Sequence, residues 1–412
     1  MAVEDEAPPA APPELSAREA PGAEGEAARL GELAALFFRL GATAFGGPAA
    51  NIAMMEDEVV RRRGWLTHAV FLDMLGACNL IPGPNSTEMA IHIGHRRAGF
   101  AGLLVAGGAF IAPAMAITIA IAWAYVRFGA MPGVGGAFYG VKPVIIAVVA
   151  RALWRLGRTA ARTRMFAGLT IASIAAGFAG LNEIALLLIA GLAAIALHAI
   201  ARRSRAGNGG ALAAIGALPA LAAPAAVVAG AATVAAPFSL GAMFLLFAKI
   251  GAVLFGSGYV LLAFLQADFV DRLHWLTQGQ LLDAVAVGQF TPGPVFCTAT
   301  FIGYLLGRTR GAIVATAGIF APAFFFVAIS GPLLPRIRRS PAAGAFLDGV
   351  NAASLALMVV VTWQLGRAAI IDVPTVIIAA LSAFVLFRHR ISSAWLIAAG
   401  ALIGAALTGI HF

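Results

Sequence analysis

The sequence predicts an all-α polytopic membrane protein that consists of two inverted-topology repeats with broken or re-entrant helices. Hydrophobic residues make up 61% of its 412 residues and charged residues only 11%, a composition that excludes an ordinary soluble domain. Apolar runs of about 20 residues, long enough to span a bilayer, recur from residue 31 to the C-terminus. Helix-breaking motifs interrupt these runs at corresponding places in the two parts of the chain.

The breaks are a Gly-Gly-Pro motif, Gly46-Gly47-Pro48, and two Pro-Gly-Pro motifs, Pro82-Gly83-Pro84 and Pro292-Gly293-Pro294. Proline lacks a backbone donor and clashes with the preceding helical turn, whereas glycine adopts backbone angles that other residues avoid. Irregular backbone at membrane depth is stable only where it is buried in protein or lines a polar cavity. Because transporters use such breaks in paired positions to build substrate sites, the motifs indicate transport.

Four segments are predicted along the chain. Residues 1–28 are rich in alanine, proline and glutamate, a composition typical of a disordered acidic tail. Residues 29–200 form the first predicted transmembrane repeat and residues 239–412 form the second. Between them, residues 201–238 are predicted to supply a linker and an extra spanning segment, near 211–236, that inverts the second repeat.

The two repeats align at a nearly constant offset, which is 210 positions and becomes 209 after a one-residue gap. Several separated motifs in one register indicate an internal duplication. The aligned residues are Gly41 with Gly251, Phe45 with Phe255, Trp65-Leu66-Thr67 with Trp275-Leu276-Thr277, Asp73 with Asp283, the two Pro-Gly-Pro motifs, Gly94 with Gly303, Gly102 with Gly311, and Pro113 with Pro322.

The arginines indicate how the repeats lie in the membrane. If residues 31–60 and 69–95 each return to their own side, most arginine clusters fall on one side, which the positive-inside rule assigns to the cytoplasm. Few arginines then fall on the opposite side. If those hairpins crossed the membrane fully, the arginine distribution would be incoherent. The pattern therefore favours re-entrant hairpins and an inverted repeat.

Two cations, Arg39 and Lys249, occupy matching positions within apolar runs. Intramembrane cations usually face a transport pathway or a partner. Two interpretations are open. Arg39 and Lys249 either extend to the membrane interface or form structural ion pairs with Asp283 and Asp73, or they draw an anion toward the middle of the membrane. Helices that restart after the breaks support the second interpretation, because their free N–H groups and dipoles attract anions.

The predicted substrate-binding residues lie mostly in and beside the breaks. Asn79 and Gln289 are expected to donate to a ligand or to cap free carbonyls. Glu88, Asp73 and Asp283 are predicted to carry protons, since intramembrane carboxylates are candidates for proton coupling. Alternatively, they make structural hydrogen bonds near the breaks. The complete predicted substrate-binding set is Arg39, Lys249, Gly46, Gly47, Pro48, Gly256, Asn79, Pro82, Gly83, Pro84, Asn85, Ser86, Gln289, Thr291, Pro292, Gly293, Pro294, Lys142 and Asn351.

Composition and motifs argue against other function classes. The net charge of +9 comes from short arginine clusters between apolar runs, a pattern typical of membrane topology rather than of nucleic-acid binding. Cys78 and Cys297 lie in apolar segments and are predicted to be inert core residues. No nucleotide, dinucleotide, metal or nucleophile motif stands in a credible context, so no cofactor is expected. The expected partners are a small oxyanion and the lipid bilayer, with a second copy of the chain as an open alternative.

These motifs resemble those of the chromate ion transporter family in its long, two-domain form. The resemblance rests on Phe45-Gly46-Gly47-Pro48, on Gly64-Trp65-Leu66 after the charged stretch 56–63, and on Pro82-Gly83-Pro84 with Ile93-Gly94 downstream. The second repeat carries Phe255-Gly256, Trp275-Leu276-Thr277 and the motif at 289–294. The resemblance implies export of chromate from the cytoplasm across the cell inner membrane, with sulfate as a similar oxyanion.

The leading hypothesis is a secondary active oxyanion exporter, an antiporter if protons move inward, driven by a proton gradient or by the membrane potential. A passive oxyanion channel or a sulfate transporter of the same architecture is the alternative. A membrane-embedded enzyme that reduces chromate is a third hypothesis, and the lack of cofactor motifs and of paired cysteines argues against it.

Overall fold

Helices form throughout the part of the chain that the structure describes. The structure is a computed structural model, and it describes residues 23–45, 47–129, 131–160, 164–205, 238–255, 258–389 and 391–409. These residues contain no β-strand, which confirms the predicted all-α class. Gly46, Gly256 and the predicted extra spanning segment at 211–236 lie outside the described residues.

The first half of the chain has helix breaks at the predicted motifs. Pro48 is the first residue of its helix, where its missing N–H is not needed. Thr67 caps the following helix, because its hydroxyl accepts a hydrogen bond from the Val70 N–H at 3.4 Å. A π-helical turn, Asp57–Arg62, follows the second helix. The helices are α1 (Ala23–Thr43), α2 (Pro48–Glu56), α3 (His68–Cys78), α4 (Asn85–Phe128), α5 (Pro132–Ala160), α6 (Arg164–Phe178) and α7 (Glu183–Arg205).

The predicted segment boundaries stay predictions, but the first of them falls inside a helix. Helix α1 begins at Ala23, so residues 23–28 are helical rather than part of a disordered tail. The reason is that the alanine and glutamate of this stretch are good helix formers and continue directly into the apolar run that follows.

The second half contains the same kinds of elements in the same order. A π-helical turn, Gln266–Arg272, corresponds to the turn Asp57–Arg62. Short 3₁₀ turns, Gly258–Val260 and Val295–Cys297, come at the two breaks. The helices are α8 (Leu240–Val253), α9 (Leu261–Leu265), α10 (Gln278–Phe290), α11 (Thr298–Arg339), α12 (Pro341–Ala369), α13 (Val373–Arg388) and α14 (Ser393–Gly409).

The long helix α4 folds back on itself at Ala98 and Gly99, whose backbone angles are not helical. The Gly102 carbonyl oxygen lies only 2.2 Å from where a Cβ of Gly94 would stand, although eight residues of a straight helix span about 12 Å. We call its two segments α4a (residues 85–97) and α4b (residues 100–128). Helix α11 has the same fold-back at Gly307 and Arg308, with Gly303 against Gly311.

The ends of the first Pro-Gly-Pro hairpin lie together. The Arg97 guanidinium, at the end of α4a, stacks 3.8 Å from the ring centre of Trp65, which precedes α3. Arg97 also forms an ion pair with Glu32 of α1. Residues 65–97 therefore run inward, turn at Pro82-Gly83-Pro84 and return to their starting level. The re-entrant path of this hairpin through a bilayer stays a prediction.

The two halves are interwoven rather than packed side by side. Helices α6 and α7 of the first half pack against α12 of the second, while α13 and α14 of the second half pack against α5 of the first. Helices α4 and α11 also pack against each other at the centre. Each half therefore completes the packing of the other, so the described part of the chain forms one bundle.

Five helical segments in the described part of the chain are long and apolar enough to cross a membrane. Three lie in the first half and two in the second. Several shorter apolar helices, including α3 and α8, flank the breaks. These lengths fit a polytopic protein in which only some segments cross the bilayer fully. The segments are Asn85–Phe128, Gly133–Arg158, Glu183–Ala201, Val295–Ser330 and Pro341–Ala369.

Candidate anion-binding site at the paired helix breaks

Each of the two Pro-Gly-Pro loops is hydrogen-bonded to the opposite half of the molecule. The Gly83 N–H donates a hydrogen bond to the Leu254 carbonyl oxygen at 2.8 Å, and the Gly293 N–H donates one to the Ala44 carbonyl oxygen at 2.9 Å. Leu254 and Ala44 are the residues that follow helices α8 and α1, so each carbonyl stands at a helix break. The loops are thereby held by backbone groups that the breaks leave without helical partners.

Glycine is required at the centre of both loops. Gly83 has a φ of +143° and Gly293 a φ of +89°, conformations that side-chain-bearing residues rarely adopt. A Cβ on Gly293 would also stand 2.8 Å from the Gly41 carbonyl oxygen, and one on Gly83 would stand 2.3 Å from a carboxylate oxygen of Glu88. The two Pro-Gly-Pro motifs are therefore set both by backbone angle and by space.

A cavity of about 380 Å³ lies where the breaks of the two halves meet. It is bounded by the start of α2, the first turn of α4, the two 3₁₀ turns of the second half and one face of α5. Its lining therefore combines backbone near helix starts with polar and cationic side chains. The lining residues are Gly47, Pro48, Ala49, Ile52, Pro84, Asn85, Ser86, Ala152, Arg155, Leu156, Gly258, Tyr259, Val295 and Phe296.

Four helical segments begin at this cavity. Pro48, Asn85, Gly258 and Val295 are the first residues of their segments, and all four line it. The first N–H groups of a helix have no partner within the helix, and the helix dipole is positive at that end. The longer segments α2 and α4 carry most of this effect. An anion in the cavity would therefore meet backbone donors from the first half on one side.

The cation of the cavity is Arg155 on α5, which was not among the predicted substrate-binding residues. Arg151, one helical turn earlier, and Arg155 both lie close enough to the Tyr259 hydroxyl to act on it electrostatically. That hydroxyl donates a hydrogen bond to the Gln289 side-chain oxygen at 3.4 Å. The spacing of Arg151 and Arg155 on one helix face is the only signal in the sequence that could have singled them out.

The structure pairs the predicted cations with partners that differ from those expected. Arg39 contacts Glu58 at 2.6 Å, and Lys249 contacts Asp268 at 2.5 Å. The expected pairing with Asp283 and Asp73 is therefore wrong, because each cation reaches the π-helical turn that follows the break in its own half. Neither cation lines the cavity, so their role as anion ligands stays a prediction that the geometry does not favour.

Asp283 is held by the other predicted lysine. Its carboxylate lies 3.4 Å from the Lys142 ammonium and accepts a hydrogen bond from the Tyr125 hydroxyl at 2.8 Å. Asp283 is 5% exposed, whereas its counterpart Asp73 is exposed on α3, as is Asn351, the counterpart of Lys142, on α12. This group joins α4, α5 and α10 away from the cavity.

Glu88 is the most deeply buried of the predicted proton-carrying residues. It lies in the first turns of α4, is 0% exposed, and presses against the Gly83 backbone. Within the described part of the chain, neither of its carboxylate oxygens has a hydrogen-bond partner.

The other predicted residues divide between the cavity and its supports. Gly47, Pro48, Pro84, Asn85 and Ser86 line the cavity. The Asn79 side-chain oxygen accepts a hydrogen bond from the Asn85 amide at 2.8 Å, across the first Pro-Gly-Pro loop. The Thr291 hydroxyl donates to the Val287 carbonyl at 2.9 Å, at the end of α10.

The second Pro-Gly-Pro loop has one further tie that the sequence did not indicate. The Asn51 amide on α2 donates a hydrogen bond to the Gly293 carbonyl oxygen at 3.1 Å, and Asn51 is buried. The corresponding residue of the second half is Leu261, which cannot make such a bond. The second loop is thus held more firmly than the first.

Comparison with known families decides the identity of this architecture. The model of a family described as chromate transporter matches two segments, residues 31–197 and 241–405. This chain belongs to the chromate transporter family. It is accordingly a multi-pass membrane protein, and the two matched segments are separated by the same stretch that separates the two halves of the fold.

Relatives cover most of the chain. A chromate transport protein of Cupriavidus metallidurans is 32% identical over 91% of this chain and 92% of its own length. A chromate transport protein of Pseudomonas aeruginosa is 31% identical over 90% of this chain and 91% of its own. An uncharacterized transporter of Bacillus subtilis, YwrA, is 33% identical over 29% of this chain and 68% of its own length, so that protein is much shorter than this chain. No solved structure matches this chain.

Proposed function

We propose that this chain is a secondary active transporter that exports chromate from the cytoplasm across the cell inner membrane. Membership of the chromate transporter family and the names of the two long relatives support chromate as the transported ion. The proposed driving force is the proton gradient or the membrane potential. Antiport with protons is one form of this coupling, and it requires that the proton and the anion bind in alternation.

The observation that carries the proposal is the cavity between the breaks of the two halves. It joins helix starts, which present backbone N–H groups, to the Arg155 guanidinium. Charge-assisted hydrogen bonds from arginine and from backbone N–H groups are the contacts that tetrahedral oxyanions prefer. Its volume of about 380 Å³ leaves room for such an anion together with several water molecules, each of which occupies about 30 Å³.

The membrane potential alone could drive export of a dianion. Moving one elementary charge across 100 mV is worth about 2.3 kcal/mol. Two negative charges that leave a cell with a negative interior therefore gain about 4.6 kcal/mol per 100 mV. Proton coupling would add to this energy or regulate it.

The supports of the cavity fit an alternating mechanism. Each Pro-Gly-Pro loop is bonded to the opposite half through one backbone hydrogen bond, Gly83 to Leu254 and Gly293 to Ala44. Movement of one half relative to the other must change both contacts together. The cavity would then open to one side or the other as these paired bonds change, as in transporters built from repeats.

The test is transport by purified protein in liposomes. Uptake of labelled chromate and of labelled sulfate is measured with an imposed membrane potential, with an imposed pH gradient and with neither. Accumulation of chromate above equilibrium, driven by a gradient, is the expected result. Flux that only equilibrates would instead identify a passive channel, and preference for sulfate would identify a sulfate transporter of the same architecture.

Arg155→Gln tests the cavity itself, and it gives the helix the residue that stands at the corresponding second-half position, Gln364. Because a hydrogen bond to a charged group contributes about 1.5–3 kcal/mol, the chromate KM is expected to rise about 10- to 100-fold. Arg158→Gln, one turn further along the same helix and outside the cavity lining, is the matched control and should leave the KM unchanged. Equal KM values for the two variants would rule out the cavity as the chromate site.

A further inference from the structure

Glu88 stands where a proton and the transported anion would influence each other. It is fully buried one turn inside the start of α4, and three residues of that start, Pro84, Asn85 and Ser86, line the cavity. Both of its carboxylate oxygens are buried without a hydrogen-bond partner among the described residues. A negative charge on Glu88 would therefore lie beside the positive helix end that faces the cavity.

Two histidines continue from Glu88 along α4a. Glu88, His92 and His95 follow each other in steps of four and three residues, so their side chains lie on one face of the helix. We call these three side chains the file. Exposure increases along it: Glu88 is buried, His92 is half-buried and His95 is exposed. The His92 Nε2 atom is buried and has no hydrogen-bond partner in the described part of the chain.

The file ends near the C-terminal end of α4a, at the open end of the hairpin formed by residues 65–97. His95 lies two residues before Arg97, which stacks on Trp65 and pairs with Glu32 of α1. The titratable group that faces Glu88 from another element is the Cys78 thiol at the end of α3. The group that acts on His92 is His95 itself. The file therefore connects a buried carboxyl group to an exposed imidazole with no other charged group between them among those that the structure describes.

The second half has no equivalent file. Thr298 stands at the position of Glu88, and its hydroxyl donates to the Val295 carbonyl at 2.9 Å. The positions that correspond to His92, Phe301 or Ile302, are buried and apolar, and Tyr304 corresponds to His95. A titratable path from the surface to the break is thus present in one half, although both halves share the hairpin that would contain it.

We propose that Glu88, His92 and His95 form a proton relay that couples proton movement to oxyanion transport. This inference rests on the proposed function with the membrane potential as its driving force. It names the coupling ion as a proton that binds together with the anion and leaves with it. A proton on the imidazolium of His95 passes to the free nitrogen of His92 and then to a carboxylate oxygen of Glu88. In each step an N–H bond of the donor breaks and an N–H bond of His92, or an O–H bond of Glu88, forms. The same steps in reverse release the proton again.

Proton binding and anion binding are linked in this arrangement. Ionised Glu88 repels an oxyanion from the start of α4, and protonation removes that repulsion. By reciprocity, a bound oxyanion favours the protonated carboxyl group by the same factor. Chromate affinity is therefore expected to fall as rising pH ionises Glu88.

The test uses full-length protein in liposomes that contain a trapped pH-sensitive dye. One readout is exchange of labelled for unlabelled chromate at equal pH on both sides, measured at several pH values. The other is proton movement when a chromate gradient is applied. Wild type and variant meet the same mixture of chromate species at each pH, so a difference between them reports on the protein.

Glu88→Gln is expected to make the chromate KM for exchange independent of protonation at this position, so that at high pH the variant has a lower KM than wild type. Chromate-driven proton movement should be lost. His92→Gln and His95→Gln should each slow proton movement by about tenfold or more, since each removes one transfer group. Thr298→Val, at the position equivalent to Glu88, and His68→Gln, whose imidazole pairs with Glu56 outside the file, are controls that should behave as wild type.

The outcomes are distinguishable. If Glu88→Gln keeps the wild-type pH profile and the wild-type proton movement, the relay is overturned while the transporter stands. If Glu88→Gln loses coupling but both histidine variants move protons at the wild-type rate, the path through His92 and His95 is overturned. If wild-type protein exchanges no chromate, the proposed function fails, and the relay fails with it.

Discussion

The two halves of this transporter share a backbone framework, here called the frame, but differ in several of their charged groups. Both contain a π-helical turn after the first break, a Pro-Gly-Pro loop, a long helix that folds back on itself, and a reciprocal hydrogen bond to the other half. Both also tie a cation on the first helix to an acid on the π-helical turn, Arg39 to Glu58 and Lys249 to Asp268. What is repeated is the structure that builds the breaks.

Three groups exist in the first half alone. Glu88 corresponds to Thr298, Arg155 to Gln364, and Lys142 to Asn351. Glu88 is buried beside the cavity, Arg155 lines it, and Lys142 holds a buried carboxylate of the second half. The comparison teaches that shared residues hold the frame, while the residues of the proposed binding and coupling sites occur in one half and are replaced in the other.

The hydrophobic cores differ as well. The hairpins of the first half enclose their own cluster, which includes Phe37, Met55, Phe71 and Phe110. The corresponding residues of the second half, such as Phe247 and Phe269, belong to a larger cluster that extends into α5, α7 and α12. The first-half hairpins therefore have a hydrophobic cluster of their own, whereas the cluster of the second-half hairpins continues into the centre of the molecule.

The largest effect should come from the central glycines, and it should be unequal. Gly293→Ala places a side chain at a φ of +89° and 2.8 Å from the Gly41 carbonyl, so a loss of about 4 kcal/mol in unfolding free energy is expected. Gly83→Ala meets the movable end of the Glu88 side chain and should cost about 2 kcal/mol. Unfolding in detergent measures both.

Gly108→Ala is the control for the glycine variants, because a Cβ there meets open space within a helix. It should leave stability unchanged or raise it by up to about 1 kcal/mol. If Gly83→Ala costs more than Gly293→Ala, the second loop is not the more firmly held of the two.

A smaller effect is expected from the two acids on the π-helical turns. Asp268 is 1% exposed and contacts both Lys249 and Arg272, so Asp268→Asn leaves two cations without their buried partner and should cost about 3 kcal/mol. Glu58→Gln should cost about 1 kcal/mol, because Arg39 and Arg62 are more than half exposed. Unfolding free energies at low and high salt would check both values.

Asp57→Asn serves as the control for these acids, since it removes only the exposed pair with Arg62 and should cost about 0.5 kcal/mol or less. Equal losses for Asp268→Asn and Glu58→Gln would mean that the repeated clusters are equally buried in the membrane-embedded protein, and would remove this difference between the halves.

The positions of the helix breaks could largely be predicted from the sequence, because the local properties of proline and glycine determine them. Proline and glycine mark breaks wherever they stand, and the constant offset shows that the breaks are repeated. The paired cations were found in the same way, from Arg39 and Lys249. Their partners were not found, because Glu58 and Asp268 lie beyond the breaks, and a broken helix has no periodicity that relates residues on its two sides.

The cavity could be predicted only in part. Pro48, Pro84, Asn85 and Ser86 belong to the motifs, so they could be named. Arg155 could not, because it follows the first Pro-Gly-Pro loop by about 70 residues and reaches the cavity only through the packing of α5 against the other elements. Contacts between distant elements leave no signal in a single sequence, and the interweaving of the two halves was missed for the same reason.

The smallest expected effect concerns one tie between the halves. The Tyr139 hydroxyl on α5 donates a hydrogen bond to the Asp372 carboxylate at 2.6 Å, and Asp372 caps α13 of the second half. This hydrogen bond lowers the pKa of Asp372, as do those from Thr375. A lowered pKa means that the stabilisation is present above the unfolded-state value of about 3.9 and is lost as the pH falls through the folded-state value.

Tyr139→Phe should therefore lower the Tm slightly near neutral pH, and the difference from wild type should shrink as the pH falls below about 3.9. In an Asp372→Asn background the same substitution should have no pH-dependent effect, because the group that titrates is gone. Thermal unfolding in detergent between neutral and acidic pH measures both. A Tyr139→Phe difference that persists at acidic pH would mean that the hydroxyl acts through packing of α5 and not through the carboxylate, and that α13 is held to the first half by apolar contacts alone.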